Sequence, residues 1–324
     1  MGRLGRWLLG FFVAWRVFGP IITPRFGSAQ DHPWKVSGRT VFVGDLEFLV
    51  RQVGDAAKPD VVLIHGLGGA SLTEWYGIGP LLVDDFRRTI VENRNHGLSP
   101  RVTSRYRVED TADDVAAVMA AVGVERAHVV GYSMGGTVAQ ALAHRHPDRV
   151  ERLALVATFA FHPPVWKWAR MVGSIVVRAW ERATGTGTPE VRAGYLLLTG
   201  AVNRKYAKFM WEETHRRDPD GGAAASMALF RFDSRPWVST IDKPTLVMIP
   251  GRDQLVPVGW QRDLASRLPH ATVETIDGAF HELVWTHPDR VAESLRSFFA
   301  ETEDGPQSRP PATRPGSHVN RPAG

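Results

Sequence analysis

The clearest pattern along the chain is a series of short apolar runs separated by longer segments with helical spacing. Most of these runs are rich in valine, isoleucine and leucine, which is typical of strands buried on both faces. They lie at residues 61–64, 88–92, 127–130, 153–157, 245–249 and 272–276. Apolar and aromatic positions on both sides of Gly44-Asp45 predict a hairpin over 40–50. Because helical segments such as 108–122 alternate with the runs, the pattern predicts a mainly parallel sheet with helices on both faces.

One connection is much longer than the others. More than eighty residues separate the runs at 153–157 and 245–249, too many for a simple crossover. Two sets of apolar residues within it have helical spacing. The first set is Trp166, Trp168, Met171, Val172, Ile175, Val176 and Trp180, and the second is Tyr195, Leu196, Leu197, Leu198, Tyr206, Phe209, Met210 and Trp211. We therefore expect a helical insertion over 158–240 between the two parts of a core at 34–157 and 241–300.

The two ends of the chain differ from this core. Apolar positions three and four residues apart, with arginines opposite, predict an amphipathic helix near the N-terminus. The apolar positions are Leu4, Trp7, Leu8, Phe11, Trp15 and Phe18. Prolines make the rest of 1–33 a linker, and a proline-rich, polar composition predicts disorder over 301–324.

Three interpretations of the N-terminal helix stay open. Arg16 interrupts the apolar stretch and the residues at 27–30 form a poor cleavage site, which weakens a secretory signal. The same arginine leaves too short a run for a spanning helix. The third interpretation, an in-plane anchor or docking on the protein's own insertion, fits residues 1–26 better, and plain packing against the body remains as the alternative. We expect a peripheral membrane or cytoplasmic protein.

Charge and composition exclude several functional classes. The formal net charge is +5, but residues 1–26 carry four arginines and no acid, and the tail is balanced. The core is therefore nearly neutral and lacks the basic stripe of a nucleic-acid-binding protein. The chain has no cysteine, and its twelve histidines show no metal-ligand spacing. We expect no metal and no organic cofactor, and the composition leaves the oligomeric state open.

The candidate chemistry lies at residues 131–136, which read Gly-Tyr-Ser-Met-Gly-Gly. The segment follows the apolar run at 127–130 and precedes a helix-like stretch, so Ser133 is predicted at the tip of a strand-turn-helix. Gly131 and Gly135 lack a Cβ atom, which permits a tight turn. A serine in such a turn becomes a nucleophile when a base takes its proton and backbone N–H groups receive the oxyanion.

The order of these elements resembles the α/β-hydrolase superfamily from about residue 40 to residue 300. Four motifs carry the resemblance, each after the expected strand. They are HGLGG at 65–69, NRNHGLSP at 93–100, GYSMGG at 131–136, and PGRDQLVP at 250–257 followed by GAFH at 278–281. Asn93 and Asn95 stand where many relatives have aspartate and glycine, a departure that bears on substrate identity more than on catalysis.

The resemblance implies a role for each residue. Ser133 would be the nucleophile, His281 its base, and Asp253 the acid that orients the base. The backbone amides of Met134 and Leu67 would form the oxyanion hole. Asp277 is the competing acid, assigned to a turn, and His65 is a structural residue beneath the oxyanion loop. We assign His96, His144 and His287 to solvated or capping positions.

These roles predict a serine hydrolase that cleaves a carboxylic ester or thioester through an acyl-enzyme. The insertion would be the cap of the superfamily, and its tryptophans favour a hydrophobic or lipid-like substrate over a sugar or a peptide. An acyltransferase with the same three residues is the first alternative, and a non-catalytic ligand-binding protein is the second. A haloalkane dehalogenase is disfavoured because it would have aspartate in place of Ser133.

Overall fold

The computed structural model describes Trp34, residues 36–102, 104–163, 200–215 and 219–300, and a few positions between 172 and 197. The described residues form an eight-stranded sheet in the order β1-β2-β4-β3-β5-β6-β7-β8. Its strands are β1 (Arg39–Val43), β2 (Leu46–Val53), β3 (Asp60–Ile64), β4 (Arg87–Val91), β5 (Ala127–Tyr132), β6 (Val150–Val156), β7 (Thr245–Pro250) and β8 (Ala271–Ile276). The pairings of β2 with β1 and β4 are antiparallel, and the other five are parallel.

Helices cover both faces of this sheet. They are α1 (Ser71–Trp75), α2 (Val108–Ala121), α3 (Met134–Arg145), α4 (Ala207–His215), α5 (Pro219–Arg231), α6 (Val258–Arg267), α7 (Leu283–Thr286) and α8 (Pro288–Ala300). Alternate strand residues enter two separate apolar clusters: Val62 and Ile64 pack with α2, α3 and α6, whereas Val61 and Leu63 pack with α1, α7 and α8. The predicted fold class is therefore confirmed.

Local sequence signals explain where these elements turn and end. The β1–β2 hairpin closes with Val43 opposite Leu46, and Gly44 between them has φ +57°, which glycine adopts without strain. The Asp110 carboxylate accepts a hydrogen bond from the Arg107 N–H at 2.7 Å and so caps the start of α2. Gly123, at φ +74°, follows its end. The hairpin and this helix were both predicted.

The long connection between β6 and β7 contains α4 and α5. Leu196, Leu197 and Met210, from the second predicted apolar set, are buried in the cluster that includes α1 and α8. At the base of the connection, Phe161 and Asp233 form an antiparallel bridge, and the Ser234 N–H donates to the Ala160 carbonyl at 2.9 Å. The bridge lies a few residues inside each end of the predicted insertion at 158–240. The role of the insertion as a cap over the active site stays a prediction.

Part of the first predicted apolar set is exposed, in contrast to the buried residues of the second set. Val172, Ile175 and Val176 have helical backbone but are 56%, 64% and 63% exposed. Trp166, Trp168 and Trp180 lie outside the described residues, as do the predicted N-terminal helix and linker at 1–33, apart from the buried Trp34, and the tail at 301–324. Within the described part of the chain, no helix has the length and apolar content needed to cross a membrane.

Candidate active site

Ser133 lies at the sharp turn that joins β5 to α3. Its backbone has φ 53° and ψ −116°, outside the ordinary regions for an L-residue with a side chain. Neighbouring groups hold this conformation: the Ser133 N–H donates to the Val156 carbonyl at 2.9 Å, and the Thr158 hydroxyl donates to the Ser133 carbonyl at 2.8 Å. A strained residue at such a position is a feature of functional sites.

The glycines on either side permit the close packing of this turn. A Cβ atom on Gly131 would overlap the Gly135 carbonyl, and one on Gly135 would overlap the Ile64 carbonyl of β3. The sequence prediction of a turn that needs glycine at both places is therefore confirmed. The packing brings the start of α3 directly against the end of β3.

His281 reaches Ser133 from the turn after β8. Its Nε2 lies 3.0 Å from the Ser133 hydroxyl oxygen, which is hydrogen-bond distance. The Tyr132 hydroxyl donates to the His281 carbonyl at 3.0 Å, and the two rings lie 5.3 Å apart. The histidine ring is 7% exposed, so it is held in place with one edge at the serine.

Asp253 holds the opposite edge of the same ring. Its Oδ2 lies 2.9 Å from Nδ1 of His281, and its Oδ1 accepts the backbone N–H groups of Leu255 and Val256 at 2.9 and 2.8 Å. The carboxylate is fully buried, and its hydrogen bonds provide the compensation that a buried charge needs. Ser133, His281 and Asp253 thus form one continuous hydrogen-bonded series.

Main-chain hydrogen bonds join the loop that carries Asp253 to the loop that carries His281. The Gly251 N–H donates to the Ile276 carbonyl at 3.0 Å, and the Arg252 N–H donates to the Ala279 carbonyl at 2.8 Å. Because β7 and β8 are parallel neighbours, both loops leave the same edge of the sheet. The sheet topology therefore explains how residues far apart in sequence meet at Ser133.

The loop after β3 lies beside the serine. A Cβ on Gly66 would sit 3.2 Å from the Cβ of Ser133, which places the backbone of this loop against the nucleophile turn. Leu67 follows in that loop and is half-buried. Met134 is the first residue of α3, where amides have no acceptor within the helix. The two amides predicted for the oxyanion hole thus belong to segments that pack against each other at Ser133.

Buried hydrogen bonds connect the loop after β3 to the loop after β4. His65 accepts the Asn93 N–H at Nε2, 3.0 Å away, and its Nδ1 lies 2.8 Å from the Gly66 carbonyl oxygen. The Asn93 side-chain amide donates to the His65 carbonyl at 3.1 Å. His65 is fully buried, and its ring bonds to the backbones of Gly66 and Asn93, in agreement with its predicted structural role.

Comparison with known proteins decides the family of this chain. Residues 59–288 match the family model for the alpha/beta hydrolase fold, which is more than half of the sequence. The chain belongs to the α/β-hydrolase family. The matched range includes Ser133, Asp253 and His281, as well as both segments predicted for the oxyanion hole.

Relatives of this hydrolase are hydrolases or esterases by name. It is 33% identical over 267 residues to a carbamate hydrolase by name, RutD of Caulobacter sp. strain K31, covering 79% of this chain and 97% of that protein. It is 32% identical over 244 residues to the pimeloyl-[acyl-carrier protein] methyl ester esterase of Chromobacterium violaceum, covering 73% and 92%. Among solved structures, the enol-lactonase of Burkholderia xenovorans LB400 matches with 26% identity and a TM-score of 0.69, covering 81% and 100%.

The structure of the hydrolase also adds residues that sequence reasoning missed. Glu74 of α1 is fully buried, and its carboxylate accepts the Gly66 N–H at 2.5 Å. Gln261 of α6 is fully buried and donates to Asp253 Oδ2 at 2.9 Å. Neither belongs to a motif, and both reach the site across tertiary contacts. A buried polar residue on an otherwise amphipathic helix was the available signal for Gln261.

Other sequence candidates lie elsewhere in the hydrolase. Asp277 is exposed in the turn after β8, so the structure brings Asp253, not Asp277, to the histidine. His144 is exposed and stacks on Trp237, and His287 follows the end of α7. These positions agree with the solvated and capping roles predicted for the two histidines.

The prediction for His96 was wrong. This residue is 3% exposed, its Nδ1 lies 2.9 Å from the Arg94 carbonyl oxygen, and its ring packs 5.0 Å from the ring of His65. Burial, reinforced by the neighbouring His65, lowers the pKa of His96 to about 3, so the ring is neutral at physiological pH. His96 is buried because the loop at 93–100 folds back over the segment that holds His65.

The two asparagines of that loop have structural contacts. Besides the Asn93 bonds to His65, the Asn95 side chain accepts the Val102 N–H at 2.7 Å and donates to the Val102 carbonyl at 3.0 Å. Asn95 has φ 64°, a conformation that asparagine tolerates better than most residues. Both side chains therefore bond to the backbone around the loop. These bonds give the two asparagines a structural role at the positions where the chain departs from the family motif.

Proposed function

We propose that this protein is a serine hydrolase that cleaves a carboxylic ester or thioester through an acyl-enzyme on Ser133. The supporting observation is the hydrogen-bonded series from Ser133 Oγ to His281 Nε2 at 3.0 Å and from His281 Nδ1 to Asp253 Oδ2 at 2.9 Å. Two relatives named for a methyl ester and an enol-lactone, which is a cyclic ester, support the substrate class.

In the acylation half of the reaction, Ser133 Oγ attacks the carbonyl carbon of the ester while its proton passes to His281 Nε2. The carbonyl π electrons move to the oxygen, and the Met134 and Leu67 N–H groups stabilise the resulting oxyanion. Collapse of this intermediate breaks the bond to the alcohol or thiol, which takes the proton from His281. Asp253 stabilises the imidazolium while it exists.

In the deacylation half, water replaces the departed alcohol. His281 takes one proton from the water as its oxygen attacks the acyl carbon, and the second tetrahedral intermediate uses the same two amides. Breaking the bond to Ser133 returns the proton to the serine and releases a carboxylic acid. Each residue thus recovers its starting state.

The proposed substrate is hydrophobic or lipid-like. Leu255, two residues after Asp253, and Phe280, next to His281, are 52% and 40% exposed. Exposed apolar side chains beside reactive groups favour an apolar ligand, because covering them removes apolar surface from water. The tryptophan-rich sequence of the insertion points in the same direction.

We further propose that the protein binds the surface of an anionic membrane. Val172, Ile175 and Val176 fall on one face of a helix and are more than half exposed. Residues 164–182 carry four basic residues and one acid, and residues 1–26 carry four arginines and no acid. Like charge disfavours docking of one segment on the other, whereas both fit an anionic lipid surface.

Labelling with a fluorophosphonate probe tests the catalytic proposal. Wild type should form a covalent adduct, and Ser133→Ala should not. Equal labelling of both would contradict Ser133 as the nucleophile, and an unlabelled but folded wild type would favour the non-catalytic binding protein. Adding an alcohol acceptor during ester turnover distinguishes hydrolysis from the acyltransferase alternative, which would yield a new ester in place of the free acid.

A substrate panel tests the lipid-like proposal. p-Nitrophenyl esters from acetate to decanoate should show rising kcat/KM with chain length, and an aryl carbamate tests the class named in the RutD relative. A preference for acetate, or for the carbamate, would contradict the proposed substrate.

Vesicle sedimentation tests the membrane proposal. The protein should bind vesicles containing phosphatidylglycerol more than pure phosphatidylcholine. Deletion of 1–26 and the double change Ile175→Ser and Val176→Ser should each weaken binding. Val273→Ser, at an apolar position 51% exposed on β8, is the matched control and should leave binding unchanged. Equal binding by all four proteins would contradict the proposal.

A further inference from the structure

Gln261 contacts the acid of the series directly. It lies on α6, is fully buried, and its Nε2 donates to Asp253 Oδ2 and to the Val256 carbonyl, both at 2.9 Å. A carboxylate and a carbonyl can only accept, so the side-chain nitrogen, not the oxygen, must face them. The orientation of the amide is thereby fixed by its neighbours.

The other end of the same amide is unfavourable for folding. In the described part of the chain, Gln261 Oε1 is buried and accepts no hydrogen bond. Leaving a buried carbonyl without a donor costs free energy, which methionine or leucine of similar volume would avoid. The requirement for glutamine at this position therefore comes from the nitrogen and from the carboxylate that it contacts.

We propose that Gln261 is a positioning residue for Asp253 in the acyl transfer proposed above, and the inference rests on that function. The Leu255 and Val256 amides hold Oδ1, while Gln261 donates to Oδ2, the oxygen that also contacts His281. The carboxylate is thus fixed with one lone pair directed at Nδ1. The histidine in turn has only one orientation available toward Ser133.

The shared oxygen also gives Gln261 an effect on proton transfer. Oδ2 accepts from both Gln261 and His281, and a second donor on one oxygen withdraws charge from the first bond. Among the described contacts of His281, the facing groups are Asp253, the Tyr132 ring and the Ser133 hydroxyl. Removing the Gln261 donor therefore strengthens the pull of Asp253 on the imidazole proton.

Steady-state kinetics of three variants test the proposal. Gln261→Met should lower kcat about ten- to a hundredfold, the equivalent of one hydrogen bond to a charged group, with KM within about twofold. The rising limb of the kcat/KM profile should move to higher pH. Gln261→Glu is nearly isosteric, and two carboxyl groups at this distance share one proton, so the protonated side chain can donate to Asp253 Oδ2 and should keep kcat closer to wild type than Gln261→Met does.

Gln140→Met is the matched control. Gln140 is also fully buried, and it bonds to Phe159 and Ser234 rather than to the series. It should lose thermal stability without a change in the pH midpoint. If Gln261→Met keeps the wild-type kcat and midpoint, or if Gln261→Glu loses as much kcat as Gln261→Met, the positioning role is wrong. Failure of the proposed function itself would be distinct, because wild type would then show neither turnover nor phosphonate labelling.

Discussion

The Asn93 N–H donates to Nε2 of His65 at 3.0 Å, and this bond fixes the tautomer of a fully buried histidine. A backbone N–H can only donate, so Nε2 is the acceptor and the ring proton lies on Nδ1. Nδ1 then donates to the Gly66 carbonyl at 2.8 Å. That carbonyl and the Leu67 N–H belong to one trans peptide and point in opposite directions. Asn93 and His65 therefore set the direction of the proposed oxyanion donor.

Replacing His65 by leucine should impair catalysis more than binding. The Gly66–Leu67 peptide would lose the bond that orients it, and loss of one oxyanion donor typically lowers kcat about 10²- to 10³-fold. We expect a fall in kcat toward that range, a smaller change in KM, and slower phosphonate labelling. Stopped-flow acylation with a p-nitrophenyl ester measures the change in the acylation rate.

His128→Leu is the control for that variant. His128 is also a buried histidine, but it stacks on Phe299 at 4.4 Å, away from the loop after β3. It should retain wild-type kcat whatever its stability. Equal rates for His65→Leu and wild type would contradict the orienting role of His65.

His96 should make the protein less stable as the pH falls. Its pKa is lowered from 6.5 to about 3 by burial, so the unfolded chain binds a proton over this interval that the folded chain does not. The contribution is fully present above about pH 6.5 and is lost as the pH falls toward 3, at no more than about 1.4 kcal/mol per pH unit. Urea unfolding at several pH values measures the slope.

In His96→Asn, the slope between pH 6.5 and 4 should be shallower than in wild type. Asparagine can still donate to the Arg94 carbonyl but does not titrate. His144→Asn, at an exposed position, is the control and should leave the slope unchanged. A wild-type slope in His96→Asn would mean that other groups govern the acid response.

Asp253→Asn should retain the fold and lose about 10³- to 10⁴-fold in kcat, because asparagine cannot stabilise the imidazolium and favours the wrong tautomer. Asp277→Asn, in the exposed turn of the adjoining loop, should keep its activity. The pair distinguishes the two acids that the sequence left in competition. Comparable losses in both variants would contradict the assignment of Asp253.

Two glycine substitutions should have opposite effects on stability. A Cβ on Gly135 would overlap the Ile64 carbonyl, so Gly135→Ala must push α3 away from β3 and should cost about 1–3 kcal/mol or more. Gly222, in α5, has open space at its Cβ position, and Gly222→Ala should gain up to about 1 kcal/mol from helix propensity. Thermal unfolding of the two proteins measures the difference.

Sequence reasoning predicted those parts of the molecule that depend on local periodicity. The strands ending before His65, Ser133 and Asp253 were marked by apolar runs, and the glycines around Ser133 marked the turn. Three residues were missed or misplaced for one physical reason. Glu74 and Gln261 bond to residues eight positions away across a turn, and His96 packs on His65, so their burial depends on how loops fold and neither spacing nor composition records it. The reciprocal hydrogen bonds between His65 and Asn93 join segments 28 residues apart, which no local pattern records.

The antiparallel bridge between Phe161 and Asp233 closes the base of the insertion at one point of the chain. Bringing those ends together has an entropic cost that grows only with the logarithm of the length enclosed. Segments of quite different size could therefore be exchanged between these two residues without redesigning the rest of the molecule. Shuffling of natural or synthetic modules at this junction offers a direct route to new substrate selectivity on an unchanged chemical framework.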